Sequence, residues 1–188
     1  KESMNVIAKS NKNEIIVSIA DDVPQFIKTD LTRFSQILIN LVSNALKFTK
    51  KGKVTLSLSL ENKDNNVFLK LEVKDTGIGI PEEYLDKIFE KFVQVDVNLQ
   101  EQYKGTGLGL SIVKRLVELC KGSISVESKI REGSKFTVWF PHIPADELTI
   151  SNQLKIHTHT KLKQLNILVV EDNKINQMVT KKLLEKNG

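Results

Sequence analysis

Gln36-Ile-Leu-Ile-Asn40-Leu-Val-Ser-Asn44-Ala-Leu-Lys47-Phe-Thr49 decides how the rest of this chain is read. Apolar residues at Phe34, Ile37, Leu38, Leu41, Ala45 and Phe48 recur at helical spacing, so Leu31 to Phe48 reads as one amphipathic helix. Asp30 is a good N-cap for it, and Lys51-Gly52 ends it. Successive helical residues rotate by about 100°, which sets Asn40, Asn44 and Lys47 within an arc of about 60° at the border of the buried stripe. Asn is a poor helix former, so two on one face invite a chemical reason. Amide oxygens are hard ligands that suit Mg²⁺, and a lysine reaches a phosphate as a point charge. The plainer alternative is a solvated face that carries two asparagines.

Around this helix the pattern is that of strands. Residues 14–19 read as a strand that Asp21-Asp22-Val-Pro24 breaks. After the helix, Val54, Leu56, Leu58 and Leu60 alternate, then Val67, Leu69, Leu71 and Val73, with Asn62–Asn66 as the hairpin loop. Alternation means one buried face, so the expected fold class is α/β (α+β), a sheet covered on one side by helices. Pro81-Glu-Glu opens a short acidic helical turn that runs towards Phe89 and Phe92. That pair reads as core packing, or as an anchor for the polar stretch 94–106, which reads as a mobile loop. A second helix starts near Gly109 and ends at Lys121-Gly122, and residues 123–128 and 135–140 form a last hairpin.

Two glycine-rich segments lie at element ends. In Asp75-Thr-Gly-Ile-Gly-Ile-Pro81 a carboxylate at a strand end is placed to accept a hydrogen bond from an adenine amino group, and the glycines let backbone approach the base. The alternative is an ordinary strand-terminating turn. Gly105-Thr-Gly-Leu-Gly-Leu110 runs into a helix, whose free N–H groups suit an anion, or it is simply a flexible loop. Its spacing is not the dinucleotide fingerprint, and no Walker A sequence is present. Together the segments supply a base acceptor, phosphate-binding turns and amide metal ligands, which points to ATP.

Bulk properties agree. The 188 residues are 40% hydrophobic and 27% charged, a soluble globular composition. No apolar run approaches the roughly 20 residues of a membrane helix. The single cysteine, Cys120, excludes a disulfide within one chain and reads as a small core residue, which fits a reducing, cytoplasmic setting. Of the net charge of +5, residues 1–154 carry +1 and residues 155–188 carry +4, so the main domain gives nucleic-acid binding little support. His157 and His159 read as solvated.

At these residues the chain resembles the ATP-binding catalytic domain of sensor histidine kinases, in the GHKL superfamily with its Bergerat fold, a two-layer α/β sandwich. Gln36–Thr49 resembles the N box, Asp75–Pro81 the G1 box, Ile88-Phe-Glu-Lys-Phe92 the F box and Gly105–Leu110 the G2 box, in that order. The resemblance implies Asn44 as the main Mg²⁺ ligand with Asn40 assisting, and Lys47 on phosphate. It implies Asp75 on the adenine amino group. It further implies nucleotide contacts from Gly77, Ile78, Gly79, Ile80, Tyr103, Lys104, Gly105, Thr106, Gly107, Leu108, Gly109 and Leu110, and Ser134 among the small residues before the last strand. Related ATPases carry Glu where this chain has Asn40, and an amide cannot activate water. The γ-phosphate is then kept for a His on a separate dimerisation domain, whose motif this chain lacks. Two positions depart from the family: Glu101 replaces a cation, and Lys104, replacing a glycine, stands where it would restore positive charge near the phosphates.

Residues 166–188 resemble the start of a response-regulator receiver domain, with Glu171 and Asp172 as its acidic Mg²⁺ pair. The implied layout is residues 1–10 as the tail of, or link from, the dimerisation helices, 11–145 as the catalytic domain, 146–164 as linker and 165–188 as a truncated receiver start, disordered or loosely docked. The parent is then a hybrid histidine kinase, a homodimer, with this fragment monomeric. Its expected partners are its own phosphoacceptor domain, its receiver domain and a downstream phosphorelay protein. Membrane attachment upstream is left open. The competing readings are a scaffold that binds nucleotide only as a structural ligand, and a gyrase- or Hsp90-like ATPase, against which Asn40 argues.

Overall fold

The computed structural model describes residues 11–63, 66–94 and 106–142, together with Gln177. The chain divides into two units, Lys1–Ala145 and Asp146–Gly188, and the elements described here belong to the first. Expectations for residues 1–10, most of the 94–106 loop, the linker and the receiver start lie outside the described residues. So do the placements of Glu101, Tyr103, Lys104, Gly105, Glu171 and Asp172.

Strand β1 (Glu14–Ile19) leads to helix α1 (Leu31–Phe48), then to strands β2 (Lys53–Lys63) and β3 (Asn66–Asp75). Helix α2 (Gly109–Leu119) follows, then β4 (Ser123–Lys129) and β5 (Gly133–Pro141). The strands form one sheet in the order β1-β2-β3-β5-β4. β1 and β2 run parallel, as the α1 crossover between them requires, and every other pairing is antiparallel. The result is the mixed sheet with helices that the sequence pattern anticipates.

The alternating residues of the strands meet the stripes of both helices. Register sets Val73 beside Phe136, Leu71 beside Val138 and Leu69 beside Phe140. Onto this layer α1 lays Ile37, Leu41, Val42, Ala45 and Leu46, and α2 lays Val113 and Val117, all buried. Burial of each of these side chains except the small Ala45 stabilises the fold by about 1.5–3 kcal/mol. Phe34 packs on Phe140 with ring centroids 5.5 Å apart. Cys120 is half-buried against this core. On the opposite face the sheet is polar: Lys70 bridges Glu61 at 3.3 Å and Glu72 at 3.6 Å.

The Asp30 carboxylate caps α1 by accepting from the Arg33 N–H at 3.0 Å. At the C-terminus of α2 the expected glycine cap is displaced by one residue: Lys121 takes the left-handed conformation (φ 56°). The Gly122 N–H closes the turn onto the Val117 carbonyl at 2.9 Å. Gly122 is needed instead for space, because a side chain there would run into the Trp139 carbonyl. The acidic turn after Pro81 is shorter than expected, a single 3-10 turn at Glu82–Tyr84. Of the phenylalanine pair, only Phe89 joins the core, edge-on to Phe136 at 6.5 Å. Phe92 is exposed with φ 65°.

Candidate nucleotide site

Asp75 is the last residue of β3 and is only 5% exposed. Its Oδ1 accepts from the Gly77 N–H at 2.7 Å. Burial pushes this carboxyl above the ordinary carboxylate range, against the pull of the Gly77 and Ser134 backbone N–H groups and the Thr49 hydroxyl. Thr49 is fully buried, and its Oγ1 completes no hydrogen bond of good geometry. It still lies close enough to Asp75 to favour the carboxylate's charge, and it is left as a buried polar atom without a well-formed partner.

The loop after Asp75 is built by close backbone approach. A Cβ on Gly77 would strike the Phe48 carbonyl and Asp75 Oδ1. That absence lets Ile78 donate its N–H to the Phe48 carbonyl at 3.3 Å, joining the loop to the end of α1. Gly79 takes φ 72° and leaves no room for a side chain beside the Lys129 carbonyl. The loop is then laced to the β4–β5 turn. Ile80 donates its N–H to Ser128 Oγ at 2.8 Å, and the Arg131 N–H reaches the Ile78 carbonyl at 2.8 Å. Ser128 Oγ donates to the Gly133 carbonyl and lies 2.9 Å from Ser134 Oγ. Gly133, with φ 103°, passes against the Asp75 backbone where a Cβ would overlap the carbonyl.

The other half of the site lies where the two helices meet. A Cβ built on Gly109, the first residue of α2, would lie 3.9 Å from Asn44 Nδ2 and 4.0 Å from Asn40 Oδ1. The N-cap of α2, Leu108, provides no side-chain hydrogen bond. The first N–H groups of that helix have no intrahelical acceptor, so they are oriented for an anion. Leu108 donates its N–H to Thr106 Oγ1 at 3.4 Å, and Gly107 (φ 69°) runs against the Phe92 backbone, whose N–H it accepts at 3.0 Å. Lys47 folds over the Phe48 ring, with Nζ 5.1 Å from its centroid.

Helix α1 thus links two chemically distinct ends. Thr49, Phe48 and Asp75 with its glycine loop form one end, and Asn44, Asn40 and the start of α2 form the other. At 1.5 Å per residue the ends lie about 7 to 14 Å apart along α1. Thr49, buried beside Asp75, is the candidate site residue that the sequence leaves without a role. A polar residue four positions beyond Ala45 on an apolar stripe is the signal that marks it. Among the described residues no three His, Cys, Asp or Glu side chains cluster as a metal site.

The model of the family described as histidine kinase-, DNA gyrase B- and HSP90-like ATPase matches residues 29–144. This chain belongs to that family. As a histidine kinase-like ATPase domain, it is 42% identical over 165 residues to the autoinducer 2 sensor kinase/phosphatase LuxQ of Vibrio vulnificus (strain YJ016), a match covering 84% of this chain and 19% of LuxQ. It is 35% identical over 216 residues to the sensory/regulatory protein RpfC of Xanthomonas campestris pv. campestris (strain ATCC 33913), covering 99% of this chain and 30% of RpfC. Hybrid signal transduction histidine kinase K of Dictyostelium discoideum is 39% identical over 196 residues, covering 96% of this chain and 16% of that protein. The ATPase domain and its flanks therefore span at most 30% of the length of these relatives.

Among solved structures, full-length ShkA in complex with AMPPNP is similar with a TM-score of 0.66 and 30% identity, covering 100% of this chain and 36% of ShkA. The catalytic domain of histidine kinase ThkA is similar with a TM-score of 0.57 and 27% identity, covering 74% of this chain and 90% of that domain.

Proposed function

We propose that this chain is the catalytic module of a hybrid histidine kinase, binding Mg-ATP and passing its γ-phosphate to a histidine on a separate dimerisation domain. One observation carries the reading: the start of α2 faces the Asn40 and Asn44 amides, so that a Cβ built on Gly109 would lie within 4.0 Å of both, and these amides belong to the helix whose C-terminal end meets the Asp75 loop. The buried Asp75 carboxylate accepts the exocyclic amino group of adenine. The unpartnered Thr49 hydroxyl offers a second polar contact at the base. Gly77 and Gly79 let the loop after Asp75 close on the Phe48 and Lys129 carbonyls, which shapes the backbone that the base would meet. Ile78 and Ile80 give the pocket apolar walls, and Ser134 holds the β5 end in place.

At the other end the N–H groups that open α2, within Thr106 to Leu110, meet the phosphates together with Lys47, and Tyr103, Lys104 and Gly105 are further contacts that the family resemblance implies. Asn44, assisted by Asn40, would hold Mg²⁺ through amide oxygens, a donor set that fits a hard ion sharing phosphate oxygens and water. The ion supplies charge neutralisation of the phosphates. Asn40 keeps its neutral amide at this position, so the chain has no general base there to direct water at the γ-phosphate. The partners that this reading implies are the phosphoacceptor domain, a receiver domain whose acidic pair is Glu171 and Asp172, and a downstream relay protein.

The test is a nucleotide titration with and without Mg²⁺. Asn44→Ala should abolish the gain in affinity that the metal gives. Asp75→Ala should erase the preference for ATP over GTP while retaining Mg²⁺ dependence. A chain whose affinity ignores both substitutions does not bind nucleotide here.

A further inference from the structure

We infer that Asn13 is a positioning residue for base recognition: its amide locks the turn after α1 and so fixes Thr49 against Asp75. The inference rests on the nucleotide reading given above and extends it to a residue outside all four sequence boxes.

The segment Asn11-Lys12-Asn13 leads into β1, and Lys12 is left-handed (φ 54°), which turns both asparagines towards the end of α1. Asn11 Nδ2 donates to the Leu46 carbonyl at 2.9 Å. Asn13 Nδ2 donates to the same carbonyl at 3.2 Å and to the Thr49 carbonyl at 2.8 Å. Asn13 Oδ1 accepts the Gly52 N–H at 3.2 Å. One side chain therefore bridges three backbone groups across the turn from Leu46 to Gly52.

Only a primary amide does this, because the site demands a donor towards two carbonyls and an acceptor towards an N–H. The first two contacts satisfy carbonyls that the end of a helix leaves open. The third pins Gly52, whose missing side chain leaves the space filled by the Thr49 methyl and Thr76 Oγ1. Thr49 is held from one side by Asn13 and from the other by the Asp75 loop, through Ile78 on the Phe48 carbonyl. Its side chain has no hydrogen bond of its own to fix it, so its position beside Asp75 depends on this backbone latch. Without the latch the turn relaxes and the base-reading pair loses its spacing, which affects adenine and leaves the phosphate end alone.

The experiment measures ATP and GTP affinities of the whole chain by calorimetry, with melting temperature recorded in parallel. Wild type should prefer ATP. Asn13→Ala should lower the ATP:GTP affinity ratio about tenfold, as expected for the loss of one well-placed polar contact to the base. Its Mg²⁺ dependence should be unchanged. Asn13→Ser, which keeps a short polar group, serves if the alanine variant does not fold, and should also lower the ratio. Asp30→Ala removes the cap at the opposite end of the same helix, and it should lower the melting temperature and keep the ratio. If the folded Asn13 variants keep the wild-type ratio and lose only thermal stability, as Asp30→Ala does, the inference is overturned. Absence of any ATP preference in the unmutated chain is a different failure: it removes the base-reading role of Asp75, and this inference with it.

Discussion

Asp75 gives up nearly all its water to stand at the end of β3, and the protein returns only part of what that water supplied. Two backbone N–H groups and a nearby hydroxyl favour its charge, yet burial still raises its carboxyl above the usual range. A raised carboxyl pKa means that the folded chain holds this proton more tightly than the unfolded chain. The stability it contributes is then full at low pH, below the ordinary carboxylate pKa, and is lost as pH rises through the raised folded value. Asp75→Asn keeps the shape and an acceptor for Gly77 but removes the titration. Urea midpoints should therefore fall less for Asp75→Asn than for wild type as pH is raised from the acid range to neutrality. At neutral pH the variant should be at least as stable without nucleotide and much poorer at choosing ATP. A buried carboxylate that costs stability beside a glycine-built loop is what a binding role predicts.

At the scale of the elements, α1 carries most of the design. Its start and its buried stripe are local features. Asp30 sits in extended geometry with its side chain on the Arg33 N–H, and the period of Ile37, Leu41 and Ala45 faces the sheet. Asp30→Ala should cost about 1 kcal/mol of unfolding free energy. Leu46→Ala, at a fully buried position, should cost about 2–5 kcal/mol. Chemical denaturation checks both, and only the second should broaden into a loss of core packing.

The same locality explains what was legible in the sequence. The span Leu31–Phe48, the hairpin from β2 to β3 and the strand-ending Asp75 follow from period, cap and alternation within a few residues. The pairing of β5 with β3, which delivers Gly133 and Ser134 to Asp75, joins residues 61 to 73 positions apart and leaves no local trace. The Asn13 latch was equally invisible, because it answers backbone groups supplied by a distant segment, and the left-handed turn falls on Lys121 while Gly122 is taken up by its close approach to the distant Trp139 carbonyl.

At the scale of the whole molecule, the described residues form a domain of the ATPase family that, on the proposed function, binds nucleotide and takes its acceptor from a separate domain. No described residue at the phosphate end is a histidine, and Asn40 is an amide where a base would be needed to send the phosphate to water. Binding and turnover should therefore separate. Incubated with γ-labelled ATP and Mg²⁺, the chain should bind nucleotide, hydrolyse it only slowly and take up no alkali-stable label. Added to a helical dimerisation domain that carries an acceptor histidine, the same chain should transfer the label in trans, and Asn44→Ala should stop that transfer. Rapid steady-state hydrolysis by the isolated chain would instead assign a water-activating ATPase, and strong self-labelling would place the acceptor within these 188 residues. The two outcomes are separated by where the phosphate ends, as free phosphate or on the protein, so one gel and one phosphate assay on the same reaction decide between them.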